Sequence, residues 1–136
     1  MRISWPAASL AVALVMIVSC TTDNQQGRPF QLPSGRTIRI LAMMPLHYTN
    51  GNPPSLMFQY QTDLQVSDKD ELRTEVDEIW PVLRIDAERG NYKSAIVSAR
   101  EVPHGIFIKN AKGFNFVYEK GSDGAWRRLG DPVGTK

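Results

Sequence analysis

The amino-acid sequence predicts an α+β domain: an antiparallel sheet of five to six strands with one kinked helix packed on it, in the order ββαββββ. Three observations carry this expectation. Apolar side chains alternate at period two over residues 37–44 and 56–64. A helical stripe follows, in which Leu72, Val76, Ile79, Trp80 and Leu83 recur at intervals of four, three, one and three. Four further short runs, 95–102, 105–109, 114–120 and 125–129, are then separated by residues with turn chemistry. Connections outside the helix are short, which favours antiparallel neighbours.

In the first strand the alternation puts Ile38, Ile40, Ala42 and Met44 on one face and Arg39, Leu41 and Met43 on the other. The second alternates Leu56, Phe58, Tyr60, Thr62 and Leu64 with Met57, Gln59, Gln61 and Asp63, as a half-buried strand does. Ser67-Asp68-Lys69-Asp70 has the spacing of a capping box, so the helix is expected to start there. Its charged residues, Glu75, Asp77 and Glu78 among them, are expected on the solvent side. Pro81 removes a backbone donor and crowds the preceding turn, which predicts a kink or two abutting helices, and Gly90-Asn91 marks the end. Beyond it, Phe114, Phe116 and Tyr118 share a face, and Gly121-Ser122-Asp123-Gly124 closes a hairpin that returns Trp126 toward them. The aromatic set Phe58, Tyr60, Trp80, Phe107, Phe114, Phe116, Tyr118 and Trp126 is expected mostly to fill the space between helix and sheet.

The 136 residues fit one domain. The expected organisation is a signal segment at 1–19, a flexible tether at 20–34, the folded domain at 35–131 and a tail at 132–136. A net charge of +2 does not call for a nucleic-acid partner. Its distribution is uneven: residues 63–88 hold nine acidic against three basic side chains, and residues 89–136 hold nine basic against four acidic. Two solvated faces that attract each other within one domain account for this, and a polar partner surface is the alternative.

Residues 7–18 form an apolar run of twelve preceded by Arg2, which suits the core of a secretory signal and is too short to span a bilayer, where about 20 are needed. The run ends in Ile17-Val18-Ser19-Cys20, which resembles the lipobox of bacterial lipoproteins, with Ile17 where leucine is usual. That resemblance covers four residues and their context. It implies diacylglycerol on the Cys20 thiol, cleavage before Cys20 and acylation of the new amino group. The location implied is the cell envelope, and Thr21, where aspartate would mark retention, implies the outer membrane facing the periplasm in a Gram-negative cell. Independently of the resemblance, Cys20 is the chain's single cysteine, so no intramolecular disulfide is open to it, and lipidation would dispose of an unpaired thiol in an oxidising compartment.

For chemistry the chain offers little. His47 in a Pro-rich loop and His104 in a turn fall in no ligand pattern, so no metal and no cofactor is assigned. There is no G-x-S-x-G elbow, S-x-x-K or phosphate-cradling glycine motif. Candidates for recognition of a partner are His47 and Tyr48 in the long loop, with Lys120, Arg127 and Arg128 on the last hairpin. Arginine beside tryptophan is common at binding surfaces and equally common on a strand edge guarded against aggregation.

The expectation is therefore a lipid-anchored, non-enzymatic envelope module whose partners are the membrane, through Cys20, and an envelope protein or cell-wall component. An inhibitor or immunity protein is one form of this. The competing classes are a small-ligand carrier or enzyme with a pocket near the His47 loop, and a structural accessory subunit of an envelope complex.

Overall fold

The structure, a computed structural model, describes residues 27–106 and 111–130. Its strands are β1 (Arg28–Gln31), β2 (Thr37–Leu46), β3 (Ser55–Thr62), β4 (Ser94–Glu101), β5 (Gly113–Lys120) and β6 (Trp126–Arg128), and helix α1 (Lys69–Arg89) lies between β3 and β4. All six strands form one sheet in sequential order. The fold class is α+β, as the periodicities predict.

Four details of the pattern differ from expectation, each for a physical reason. First, the sheet begins at Arg28, inside the stretch assigned to the tether. The turn after β1 is closed by Leu32 N–H to Arg36 O at 2.8 Å, with Gly35 at φ 89°, and Leu32 is buried. Leu32, with Phe30 packed against the core and Arg28–Gln31 paired to β2, ties this polar-looking segment to the domain. Three strands thus precede the helix and three follow. The strand expected at 105–109 is not formed at residues 105 and 106, and 107–110, with Phe107, lie outside the described residues.

Second, the sheet is mixed, because β3 and β4 pair in parallel from Ser55↔Ser94 to Thr62↔Glu101. A 21-residue helix rises roughly 31 Å. It therefore carries the chain back along the whole length of β3, so that the next strand starts at the same end and runs the same way.

Third, a bulge between Ile40 and Ala42 inserts one residue into β2. Beyond it the faces exchange: Ile40 pairs with Tyr60 on the helix side, but Ala42 pairs with Gln59, and it is Met43, opposite Phe58, that returns to the helix side. The expected row Ile38, Ile40, Ala42 and Met44 is broken at its midpoint.

Fourth, α1 is one continuous element through Pro81, not two abutting helices, and its N-cap is Asp68 with no side-chain capping bond, so the expected capping box is not made. The other end is better fastened. Tyr92 N–H reaches Ala87 O and Asn91 N–H reaches Glu88 O, both at 3.0 Å, with Asn91 at φ 56°. This is a Schellman motif with asparagine in the left-handed position.

The core lies between α1 and one face of the sheet. Leu72, Val76, Ile79, Leu83 and Ala87 of the helix meet Ile38, Leu56, Phe58, Tyr60, Val97, Phe116 and Tyr118, with Ala95 and Ala99 leaving room for the helix to approach. A fully buried side chain of this size contributes roughly 1.5–3 kcal/mol. Trp80 stacks on Tyr118 at 3.8 Å and 3° and meets Trp126 edge-on at 5.2 Å, closing the core on the β5–β6 side. Among the described residues the opposite face of the sheet carries no helix, and it is there that the loop before β3 forms a groove.

Candidate functional site

The register lines up Ser55 of β3, Ser94 of β4 and Glu119 of β5 in one row across the sheet, with Met57, Ile96 and Val117 in the next. These side chains point away from α1. Residues 47–54 connect β2 to β3 and fold over the end of these rows, with an Asn52 N–H to Asn50 Oδ1 bond of 3.1 Å shaping the turn. The result is an open groove of about 390 Å³ lined by Tyr48, Asn52 and Pro53 from the loop, Ser55, Ser94, Ile96 and Val117 on its floor, and Lys93, Glu119 and Lys120 at its rim.

Its polar centre is a chain of three hydroxyls. Tyr48 Oη lies 2.8 Å from Ser55 Oγ, which in turn contacts Ser94 Oγ. Ser55 is 3% exposed, and this chain satisfies it. Hydroxyls in series can each donate or accept, which suits a ligand bearing hydroxyls or amides. The contacts of Ser55 are to the Tyr48 and Ser94 hydroxyls, and the Glu119 carboxylate lies on the far side of Ser94 in the same row.

The residues singled out from sequence fall into three groups. Tyr48 is exposed and forms one wall of the groove, while His47 beside it is exposed and does not line it. Lys120 contributes to the rim, but its ammonium points to the other side of the sheet and contacts Glu88 at 2.5 Å. Arg127 pairs with Asp123 at 2.6 Å and Arg128 with Asp77 at 2.8 Å. The three basic residues of the last hairpin are thus joined to acids of α1 and of their own turn, so the uneven charge along the chain closes on itself. Cys20 lies outside the described residues.

Sequence reasoning missed Ser55, Ser94 and Lys93. Nothing in the local pattern marks them, because their proximity depends on the parallel pairing of β3 with β4. It also misplaced Glu75, which is 1% exposed and faces the sheet, where Arg36 meets it at 3.0 Å. Tyr60 is fully buried nearby; burial, and then the Glu75 carboxylate, push its phenol well above the usual range. A signal was available, since position 75 is three after Leu72 and four before Ile79, squarely on the apolar stripe.

The two histidines sit at opposite ends of β3. His47 is beside its start, and His104 lines a separate polar groove of about 340 Å³ with Thr62, Asp63, Glu101 and Lys112. Among the described residues no three His, Cys, Asp or Glu side chains converge as a metal site would require. No helix among them is long and apolar enough to cross a membrane. No family model matches the chain, and no curated protein or solved structure matches it either.

Proposed function

We propose that this chain is a lipid-anchored binding module of a bacterial cell envelope, held to the membrane through Cys20 and offering the Tyr48 groove to an envelope protein or cell-wall component. The observation that carries the reading is the position of Cys20. The single cysteine ends a twelve-residue apolar run and stands eight positions before the first strand. Eight residues span roughly 27 Å at full extension and about 16 Å as a flexible chain. A domain so tethered works beside its own membrane.

The groove supports binding in preference to catalysis: it presents three hydroxyls, an ammonium and a carboxylate around the apolar floor of Ile96 and Val117. Cell-wall glycans and peptides carry the complementary hydroxyl and amide groups. A small-ligand carrier is the second reading, favoured by the fact that the loop frames a concave site.

The test is photo-crosslinking from a benzophenone amino acid at Asn52, in cells, with a second probe at exposed Thr74 of α1 as control. The module reading expects a crosslink to one envelope protein or to cell-wall material from position 52 only, weakened by Tyr48→Ala. Identical products from both positions would refute it. A product of small-molecule mass would transfer the groove to the second reading.

A further inference from the structure

On the side of β1 and β2, helix α1 is fastened in its first half, where Arg36 meets Glu75 and the Ser34 N–H reaches Glu78, both at 3.0 Å. Toward β5 and β6 it is held by the Trp80 stack and by the pairs of Asp77 with Arg128 and Glu88 with Lys120. On its other flank a cleft of about 200 Å³ stays open between Ile79, Val82, Leu83 and Asp86 of the helix and Arg28, Phe30, Ile40 and Met43 of the first two strands. Apolar side chains stand out at it and on the adjoining outer face of α1: Met43 is 51% exposed and Val82 45% at the cleft, and Ile85, one turn beyond Val82, 58%. Packing among the described residues does not account for the exposure of Met43 and Val82 at the cleft with Ile85 on the adjoining helix face.

We propose that this flank is a lipid-docking surface, with Met43, Val82 and Ile85 entering the membrane interface beside the anchor. The inference rests on lipidation of Cys20. It adds the orientation of the domain, set by where the tether attaches. Arg28, which lines the cleft, is the first residue of β1, and Gly27 before it is pressed against β2, where an added Cβ would come within 2.4 Å of the Ile40 carbonyl oxygen. The chain therefore leaves the domain at the rim of the cleft, and Cys20 lies within roughly 27 Å of that point. An anchored tether this short holds the flank at a high effective concentration near the bilayer, so a patch too small to bind free vesicles still docks. Arg28 at the rim suits this position, since its aliphatic stem can cover apolar surface while the guanidinium meets lipid phosphate. The Tyr48 groove, on the face of the sheet away from α1, keeps its access to the periplasm.

The experiment uses the full mature protein, purified with its lipid and reconstituted in phosphatidylethanolamine–phosphatidylglycerol vesicles. The probe is an environment-sensitive NBD label on Ile85→Cys or, as control, on Asn115→Cys, which is exposed on the opposite face of the sheet. Docking gives a blue-shifted emission at position 85 that doxyl-labelled lipid quenches, with neither effect at 115. Equal, wet and unquenched emission at both positions overturns it. So does a blue shift at 85 that doxyl lipid leaves untouched, which would mean a second copy or another protein covers the flank. The parent chain separates this inference from the reading beneath it: uptake of label at Cys20 would show a free thiol and sink lipidation itself.

Discussion

Trp126 donates its indole N–H to Glu88 at 2.7 Å, and Lys120 reaches the other oxygen of the same carboxylate at 2.5 Å. One side chain near the end of α1 thereby holds both arms of the last hairpin. Since β6 is three residues long and pairs only with β5, its place depends on such contacts. Glu88→Ala is expected to lower the melting temperature and to speed amide exchange in β6. Arg73→Ala, near the other end of α1 and 3.8 Å from the fully exposed Asp70, serves as the comparison and should change exchange in β6 little. Hydrogen exchange read by mass spectrometry decides between them.

Acid should act on the same hairpin. Hydrogen bonds from Lys120 and then Trp126 hold Glu88 below its ordinary value of 4.5, and Arg127 followed by the Ala125 amide holds Asp123 down to about 2, from 3.8. Both folded values lie below the unfolded ones. Their stabilisation is therefore complete above about pH 5 and is lost as pH falls toward 2. A melting temperature flat from neutrality to about pH 5 and falling below it is expected, with a shallower fall between about pH 4 and 2 for Asp123→Asn. An unchanged slope in that variant would count against the pairing with Arg127.

Glu75 is buried while Arg36, its partner, is 45% exposed. Arg36→Ala leaves the carboxylate in the core without its cation, and water reaching the site softens the loss to about 1–3 kcal/mol. Arg36→Met combined with Glu75→Met should be less destabilising than the sum of the two single changes. The Tyr60 hydroxyl has no hydrogen-bond partner of ordinary geometry among the described residues, so Tyr60→Phe should stay within about 1 kcal/mol of the wild type. Urea denaturation of the set measures all of these.

The end of α1 gives an ordering. A Cβ on Gly90 would lie 2.3 Å from the Tyr92 ring, so Gly90→Ala must displace that ring at a cost of about 1–3 kcal/mol. Asn91→Ala places an ordinary residue at φ 56° and costs about 1 kcal/mol, whereas Asn91→Gly is tolerated. Thermal melts that put Asn91→Gly below Asn91→Ala would contradict the Schellman assignment.

What could be read from the sequence followed from periodicity. The stripe from Leu72 to Leu83 and the alternation from Leu56 to Thr62 report burial directly, and both elements form where expected. The bulge at Leu41 could not be seen, because an inserted residue changes no local preference and only the partner strand reveals it. The parallel pairing was implied by the long helix between two strands, yet the short turns elsewhere suggested a wholly antiparallel sheet. Of the candidate site, Tyr48 was legible as an aromatic in a long loop, while Ser55 and Ser94, 39 positions apart, become neighbours only through that pairing. Lys120, Arg127 and Arg128 drew attention as a cluster, but the acids that meet them lie on another element or across a turn, where sequence distance hides them.

Lipid on Cys20 is measured most directly by the mass of the N-terminal peptide of the protein isolated from bacterial membranes. Lipidation predicts a peptide that begins at Cys20, lacks residues 1–19 and carries diacylglycerol on sulfur, with the modification lost in Cys20→Ala. A peptide with an unmodified thiol at Cys20, still joined to Ser19, would contradict the anchor and the membrane-side orientation built on it.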